Sequence, residues 1–237
     1  MNKNSTIYVF GFAAIVTLVV AVALSFTSES LRPLKEANEL TYKKRDILSG
    51  VLPDSKKMSD EEVSKAFDQF VEQVMVNSDG EILEETAVKP IDVDIKKEKK
   101  KAIDEQNLPL FIAEIEGEKS YIIPVRGNGL WDEIWGFIAV DSDGNTIKGV
   151  SFDHAGETPG LGAEIKDNKN WKGQFLGKKL FEGDNFVGID VVKGGVKIPD
   201  HQVDAISGAT ITGDGVADMI KGDINKYVAY IEKHVKE

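Results

Sequence analysis

The sequence predicts an α+β protein in which one N-terminal transmembrane helix precedes a mixed α/β domain. Three observations predict this fold class: an uncharged apolar segment near the N-terminus, amphipathic helical patterns at two later places, and a series of apolar segments separated by turn sequences. We divide the 237 residues into a tail of residues 1–6, an anchor of residues 7–26, a stalk of residues 27–52 and a domain of residues 53–237.

The anchor is indicated by the absence of charged residues from Ile7 to Leu24. As a helix this segment would extend about 27 Å, close to the thickness of the hydrocarbon core of a bilayer. A cleaved signal peptide is the alternative, because residues 21–23 (Ala-Val-Ala) match a small-x-small cleavage pattern, although the apolar segment is longer than is usual for such peptides. The flanking charges leave the orientation of the anchor open.

The composition excludes several classes of protein. The chain has 29 Lys and Arg against 40 Asp and Glu, a net charge of −11, which argues against the clustered positive surface of a nucleic-acid-binding protein. It has no cysteine, which excludes disulfides, thiolate zinc sites and cysteine-ligated iron–sulfur clusters. Motifs of dinucleotide-binding proteins, zinc hydrolases and serine hydrolases are absent from the sequence. We therefore expect no metal site and no catalytic acid, base or nucleophile, and any electron transfer requires an organic cofactor.

Two amphipathic helices are predicted in the domain. The first covers residues 60–76, where Ser59 and Glu62 form the ends of a capping box and apolar residues recur at helical spacing. The second covers about residues 213–235. We interpret the lysine-rich residues 96–101 as a solvated loop or helix face.

Between these helices, apolar segments alternate with turns in the manner of antiparallel strands. Gly117-Glu118 separates two such segments and predicts a hairpin. Residues 141–145 (Asp-Ser-Asp-Gly-Asn) resemble a calcium loop, but the closing glutamate of such a loop is missing, so we interpret them as a second turn. The predicted strands are residues 111–116, 119–125, 135–141, 146–152 and 185–192.

Two glycine-rich loops are the candidates for a ligand site. The first loop, residues 154–162 (His-Ala-Gly-Glu-Thr-Pro-Gly-Leu-Gly), would expose backbone N–H groups to a planar or anionic ligand, with an ordinary connecting turn as the alternative. The second loop, residues 204–212 (Asp-Ala-Ile-Ser-Gly-Ala-Thr-Ile-Thr), directly precedes the C-terminal helix, whose N-terminus favours a phosphate. The alternative for the second loop is a simple helix start with Thr212 as the N-cap.

In this order and at this separation, the two loops resemble the FMN-binding domain family, whose members carry FMN on a threonine through its phosphate. Asp204 and residues 207–210 (Ser-Gly-Ala-Thr) look like the acceptor motif of that family, and residues 157–162 resemble its flavin-side loop. With the single anchor, the stalk and residues 127–131 (Gly-Asn-Gly-Leu-Trp), nearly the whole chain is similar to the NqrC family, the C-type subunits of the sodium-translocating NADH:quinone reductases.

The resemblance implies a role for each site residue. Thr210 would carry the phosphoester, and Asp204 would take part in recognition by a flavin transferase or in positioning a metal ion during attachment. Thr158 and Leu161 would contact the flavin ring, while Glu157 would orient their loop. The expected cofactor-binding residues are Trp131, Glu157, Thr158, Leu161, Asp204, Ser207, Gly208, Ala209 and Thr210.

For Trp131, Thr212 and His154 we also consider purely structural roles. Trp131 either stacks near the ring or packs in the core. We expect Thr212 to cap the C-terminal helix and His154 to be a structural hydrogen-bonding residue.

The resemblance also implies a function. Such a protein is anchored in the bacterial inner membrane, with the domain, including an FMN-binding region of about residues 110–237, on the outer side. It would pass electrons one at a time between an iron–sulfur centre on one partner and a covalent flavin on another, while the complex couples NADH oxidation and quinone reduction to sodium export. A flavin transferase would install the FMN from FAD. The alternatives are the G-type subunit of the related ferredoxin:NAD (Rnf-type) complex, a stand-alone membrane-anchored flavin reductase, and an anchored binding module without redox work.

Overall fold

A computed structural model describes residues 6–236, so residues 1–5 of the predicted tail lie outside the described part of the chain. The chain divides into two compact units, Met1–Tyr42 and Lys43–Glu237. The α-helices are α1 (Thr6–Ser49), α2 (Asp60–Phe70), α3 (Ile95–Glu98), α4 (Glu164–Asp167), α5 (Lys169–Gly173), α6 (Thr210–Ile224) and α7 (Val228–His234). The strands are β1 (Val71–Val76), β2 (Leu108–Ile115), β3 (Glu118–Asn128), β4 (Glu133–Asp141), β5 (Ile147–His154), β6 (Phe181–Glu182), β7 (Asn185–Phe186), β8 (Asp190–Val192) and β9 (Gln202–Asp204).

Helix α1 contains the predicted anchor. It is a continuous helix of 44 residues that includes Pro33. An 18-residue window within it has a mean hydropathy of 2.7 and is not buried by other parts of the described chain. The helix is therefore long and apolar enough to cross a membrane, and residues 27–49 of the predicted stalk are helical as well.

The last residues of α1 belong to the second unit. Ile47 and Leu48 are fully buried. The Arg45 guanidinium donates hydrogen bonds of 2.8 Å and 2.7 Å to the carbonyl oxygens of Ser55 and Met58. These contacts connect the end of α1 to the residues that lead into α2.

The second unit is built on a five-stranded antiparallel sheet in the order β1-β2-β3-β4-β5. Strand residues of alternating orientation supply two apolar clusters. One cluster combines sheet residues such as Ile123 and Ile138 with Val216 and Ile220 of α6. The other combines sheet residues such as Phe111 with Phe67 of α2 and the end of α1. Within this unit, helices thus cover both faces of the sheet.

The predicted helix over residues 60–76 is correct only in its first part. The capping box of Ser59 and Glu62 forms, but α2 ends at Phe70 and residues 71–76 are strand β1. Here Val71 pairs with Ala113 and Val76 with Leu108, so β2 satisfies the backbone hydrogen bonds of this valine-rich segment. Tertiary pairing outweighs the helical spacing of its apolar residues.

The remaining predictions are partly correct. Both hairpins form, but the first turn is Glu116-Gly117 and not the predicted Gly117-Glu118, since Glu118 already begins β3; Glu116 and Gly117 have φ values of 54° and 84°. The predicted strand 185–192 is wrong in its middle, since β7 and β8 are separate short strands. The predicted helix 213–235 begins earlier, at Thr210, and is interrupted by a 3-10 turn at Asn225–Tyr227.

Candidate functional site

The two glycine-rich loops and residues 127–131 meet at the N-terminal end of α6. The first loop continues from the end of β5, and the second loop runs from β9 into α6. Residues 127–131 comprise the last two residues of β3 and the start of the turn that leads to β4. Helix α6 crosses β3 so closely that a methyl group on Gly215 would overlap with the backbone carbonyl oxygen of Asn128. Only glycine permits this approach, which brings three distant parts of the sequence into one site.

A buried carboxylate joins these three segments. Glu157 of the first loop accepts a 2.9 Å hydrogen bond from the backbone N–H of Trp131 and a 2.6 Å hydrogen bond from the Thr212 hydroxyl. Glu157 is only 5% exposed and Thr212 only 1%. A methyl group on Gly129 or Gly162 would overlap with the carboxylate, so the glycines enclose it. We refer to Glu157 and its two hydrogen bonds as the clasp.

A second contact brings the two loops together at the surface. Gly208 has a φ of 76°, in the region that favours glycine. A methyl group on Gly208 would lie 2.6 Å from Cδ2 of Leu161, so the Leu161 side chain packs directly on the second loop. Leu161 nevertheless remains 41% exposed, which leaves apolar surface available beside the start of α6.

Thr212 does not cap α6, and this prediction is wrong. The helix begins at Thr210, and its N-cap residue, Ala209, forms no side-chain capping hydrogen bond. Thr212 lies within the first helical turn, and its hydroxyl donates to Glu157 instead. The buried carboxylate needs a donor, and Thr212 provides one without leaving the helix.

An open cleft with a volume of about 430 Å³ lies beside the start of α6. One wall is formed by the second loop, including Asp204, Ser207, Gly208 and Thr210. Thr210 is half-buried at this wall, whereas Ser207 and Asp204 are exposed. The cleft therefore gives access from outside to residues 207, 208 and 210 of the predicted acceptor motif.

The opposite wall follows strand β8 and is missing from the sequence-based expectations. Strands β8 and β9 run parallel, and their carboxyl ends open towards the cleft. Lys193 and Gly194 line it there, and Gly194 and Gly195 have φ values of 81° and 96°. The sequence contained one signal for this wall, the Lys-Gly-Gly sequence after a strand, since ligands often bind at the carboxyl ends of parallel strands.

The remaining expected residues lie around the clasp and the contact between the loops. Trp131 is 69% exposed, which contradicts core packing for its side chain. Thr158 is exposed, and its carbonyl oxygen accepts hydrogen bonds of 3.1 Å from the N–H groups of Leu161 and Ala163. His154 Nδ1 accepts from the backbone N–H of Glu157 at 3.2 Å, as expected for a structural hydrogen-bonding residue.

Charged side chains support the two ends of the first loop. Asp153 directly precedes the loop and pairs at 2.9 Å with Lys166, which follows it in α4.

Two ionisable groups of the second unit have shifted pKa values. Burial, followed by the charge of Asp153, raises the pKa of Asp46 to about 6. Burial lowers the pKa of Lys172 to about 8. Within residues 6–236, no group of three or more His, Asp or Glu side chains is arranged to hold a metal ion.

Comparisons with known proteins agree on the family. Residues 129–225 match the model of the FMN-binding domain. The chain is 33% identical over 238 residues to the C-type subunit of the Na(+)-translocating NADH-quinone reductase of Vibrio parahaemolyticus, covering 91% of this chain and 89% of the relative. It is 32% identical over 240 residues to the protein of the same name in Pseudomonas aeruginosa, covering 92% of this chain and 91% of the relative.

Solved structures agree with this result. The crystal structure of the C-type subunit of the Na(+)-translocating NADH-quinone reductase from Parabacteroides distasonis has a TM-score of 0.76 at 36% identity, covering 86% of this chain and 98% of that one. The crystal structure of Shewanella oneidensis NqrC has a TM-score of 0.65 at 31% identity, covering 84% of this chain and all of the other. Similarity in sequence and in fold therefore extends over most of the chain.

Proposed function

Because this chain belongs to the NqrC family of the Na(+)-translocating NADH-quinone reductases, an FMN-binding family, we propose that it carries its FMN as a phosphoester on Thr210. The observation that carries the proposal is the contrast between the two threonines of the second loop. Thr210 lines the open cleft. The Thr212 hydroxyl is buried and donates to Glu157.

The residues around Thr210 fit a phosphoryl group. Helix α6 starts without a side-chain cap, and the first N–H groups of a helix have no partners within the helix. These donors and the positive end of the helix dipole favour an anion at this position. Ser207, Gly208 and Ala209 form the turn that presents Thr210, and the exposed Asp204 is available to the transferase or to a metal ion that it brings.

The first loop and Trp131 fit the ring end of the cofactor. Leu161 and Trp131 expose apolar surface, and the exposed Thr158 adds a polar contact beside them. Such a mixture of apolar faces with few polar groups suits a planar aromatic ring. When bound, FMN supplies the redox chemistry, while these residues hold and orient it.

The proposed role is electron transfer within the reductase complex. We expect one partner to hold an iron–sulfur centre and another to hold a second covalent flavin, and a separate flavin transferase to load Thr210 from FAD. The likeness to NqrC proteins over at least nine-tenths of the chain favours this role over the G-type subunit of the ferredoxin:NAD complex or a stand-alone flavin reductase.

We place the protein in the bacterial inner membrane, anchored by α1, with the second unit on the outer side. The apolar window of α1 supports the anchor. A reporter enzyme fused to the C-terminus tests the side: an enzyme that works only after export should be active, and one that works only in the cytoplasm should be inactive. The reverse pattern contradicts this orientation.

Intact-mass spectrometry tests the attachment. We expect the full chain, co-expressed with a flavin transferase, to be heavier than its sequence by one FMN less one water. Thr210→Ala should be folded and lack this added mass, because only the hydroxyl can form the phosphoester, and Thr210→Ser should retain some of it. Added FMN mass on Thr210→Ala would overturn the proposal.

A further inference from the structure

We propose that Glu157 and Thr212 form a positioning device that fixes the ring end of the cofactor relative to its attachment residue, without contacting the cofactor or taking part in its attachment. This inference rests on the proposed function, since it concerns how an FMN on Thr210 is held. It gives different roles to two threonines of the same helical turn. Thr210 carries the FMN, and Thr212 holds the Glu157 carboxylate.

The first step in the argument is that the Glu157 carboxylate is buried and each of its oxygens is already held by a protein donor. One oxygen accepts from the Trp131 N–H and the other from the Thr212 hydroxyl. Gly129 and Gly162 pack so closely on these oxygens that not even a methyl group fits between them. The carboxylate is thus enclosed by protein groups, although Glu157 lies within the motif that resembles the flavin-side loop.

The second step concerns what the clasp connects. Glu157 belongs to the first loop, whose exposed Leu161 offers apolar surface for the ring. Trp131 belongs to the loop after β3, and its exposed side chain is held through its backbone. Thr212 lies in the same helical turn as Thr210. One buried group thus links both proposed ring-contacting segments to the helix end that carries the attachment residue.

The third step is energetic. A buried carboxylate is tolerated only when its oxygens are hydrogen-bonded. The hydrogen bonds that Glu157 accepts come from a hydroxyl and a backbone N–H, and not from a basic side chain, so the loss of either donor leaves an oxygen unpaired in an enclosed site. The arrangement is therefore sensitive to the exact partner, and disturbing it displaces the first loop and Trp131 together.

The test uses the full chain, co-expressed with the transferase, and three readouts: the added FMN mass, the visible circular dichroism of the bound flavin and its midpoint potential. Thr212→Val removes the hydroxyl at nearly constant volume. We expect it to retain the FMN mass, to lose most of the visible circular dichroism and to shift the midpoint potential. Thr212→Ser restores the hydroxyl and should recover both flavin properties.

Two further variants separate geometry from charge and from general destabilisation. In Glu157→Gln the amide can still accept from Trp131 and donate to Thr212, so circular dichroism should be retained while the potential rises, because a buried negative charge is lost. Ser151→Ala is the matched control for a lost buried hydroxyl. The Ser151 hydroxyl is buried and has no partner among the described residues, and its removal should change neither flavin property.

Each unexpected result contradicts either the positioning role or the proposed function. A flavin-loaded Thr212→Val with the dichroism and potential of the wild type would overturn the positioning role, as would the same shift in Ser151→Ala. Loss of the FMN mass from Thr212→Val would show that this hydroxyl is needed for attachment and would also overturn the inference. A wild-type chain without any FMN mass would instead contradict the proposed function on which the inference rests.

Discussion

The cleft and the clasp lie on either side of the first turn of α6 and differ in almost every physical property. The cleft is open, and its second-loop wall combines exposed polar residues with the half-buried Thr210. The clasp is enclosed, and both oxygens of its carboxylate are hydrogen-bonded. Under the proposed function, the surface that a flavin transferase must reach is therefore separate from the buried contacts that would position the cofactor.

Substitution of Gly162 in the first loop gives the largest expected effect on stability. A methyl group on Gly162 would overlap with Glu157 and lie 2.7 Å from the Thr212 hydroxyl oxygen. We expect Gly162→Ala to lower the free energy of unfolding by about 2–3 kcal/mol through overpacking of the clasp. The matched variant is Gly160→Ala, at a φ of 76° with nothing within 4 Å, where only the backbone conformation is penalised, by about 1 kcal/mol.

Urea unfolding of both variants measures this difference. Equal losses of stability at the two positions would show that the clasp is no more tightly packed than the exposed part of the same loop.

A smaller effect is expected at Asp46, a partly buried carboxylate near the end of α1. The folded-state pKa of Asp46, about 6, lies above the ordinary value of 3.8, so the folded protein binds an extra proton between these pH values. Stability contributed by this group is therefore lost as the pH rises from about 4 to 6. Asp46→Asn should remove this loss and raise the free energy of unfolding at pH 7 by about 1–2 kcal/mol.

The control is Asp68→Asn, because the exposed Asp68 side chain pairs with Lys44 at the surface. Ion pairs at the surface contribute little, so Asp68→Asn should keep the pH dependence of the wild type between pH 4 and 7. If Asp46→Asn and Asp68→Asn have the same pH dependence, burial of Asp46 is not the cause of its raised pKa.

The sequence predicted features that depend on residues close together in the chain. The capping box at Ser59 forms as predicted, and both glycine-rich loops lie at the start of α6, while the acceptor role of residues 207–210 stays a prediction. The role of Thr212 was missed because a threonine at a helix start is equally consistent with a cap, and only the arrival of Glu157, 55 positions away in sequence, decides between the two. Contacts between segments that are distant in the sequence produce no periodic pattern of residues from which they could be predicted.

The fold shows the same limit. The hairpins were predicted because their turns are local, whereas residues 71–76 were assigned to a helix. Their valines satisfy a helical spacing, and the pairing of β1 with β2, which makes them a strand, joins residues about 30 to 40 positions apart. The Lys193 wall of the cleft was missed for a similar reason, since the parallel pairing of β8 with β9 creates it.

Peptide mapping of the wild-type chain tests the central claim most directly. Trypsin cleavage after Lys197 and Lys221 releases one peptide, Ile198–Lys221, that contains Ser207, Thr210 and Thr212. Fragmentation of this peptide from chain co-expressed with the transferase assigns any FMN to one of the three hydroxyls. The separation of cleft and clasp predicts no FMN on Thr212, and the start of α6 at Thr210 predicts the whole added mass on Thr210. FMN on Ser207 or Thr212, or a peptide without flavin, would contradict this account.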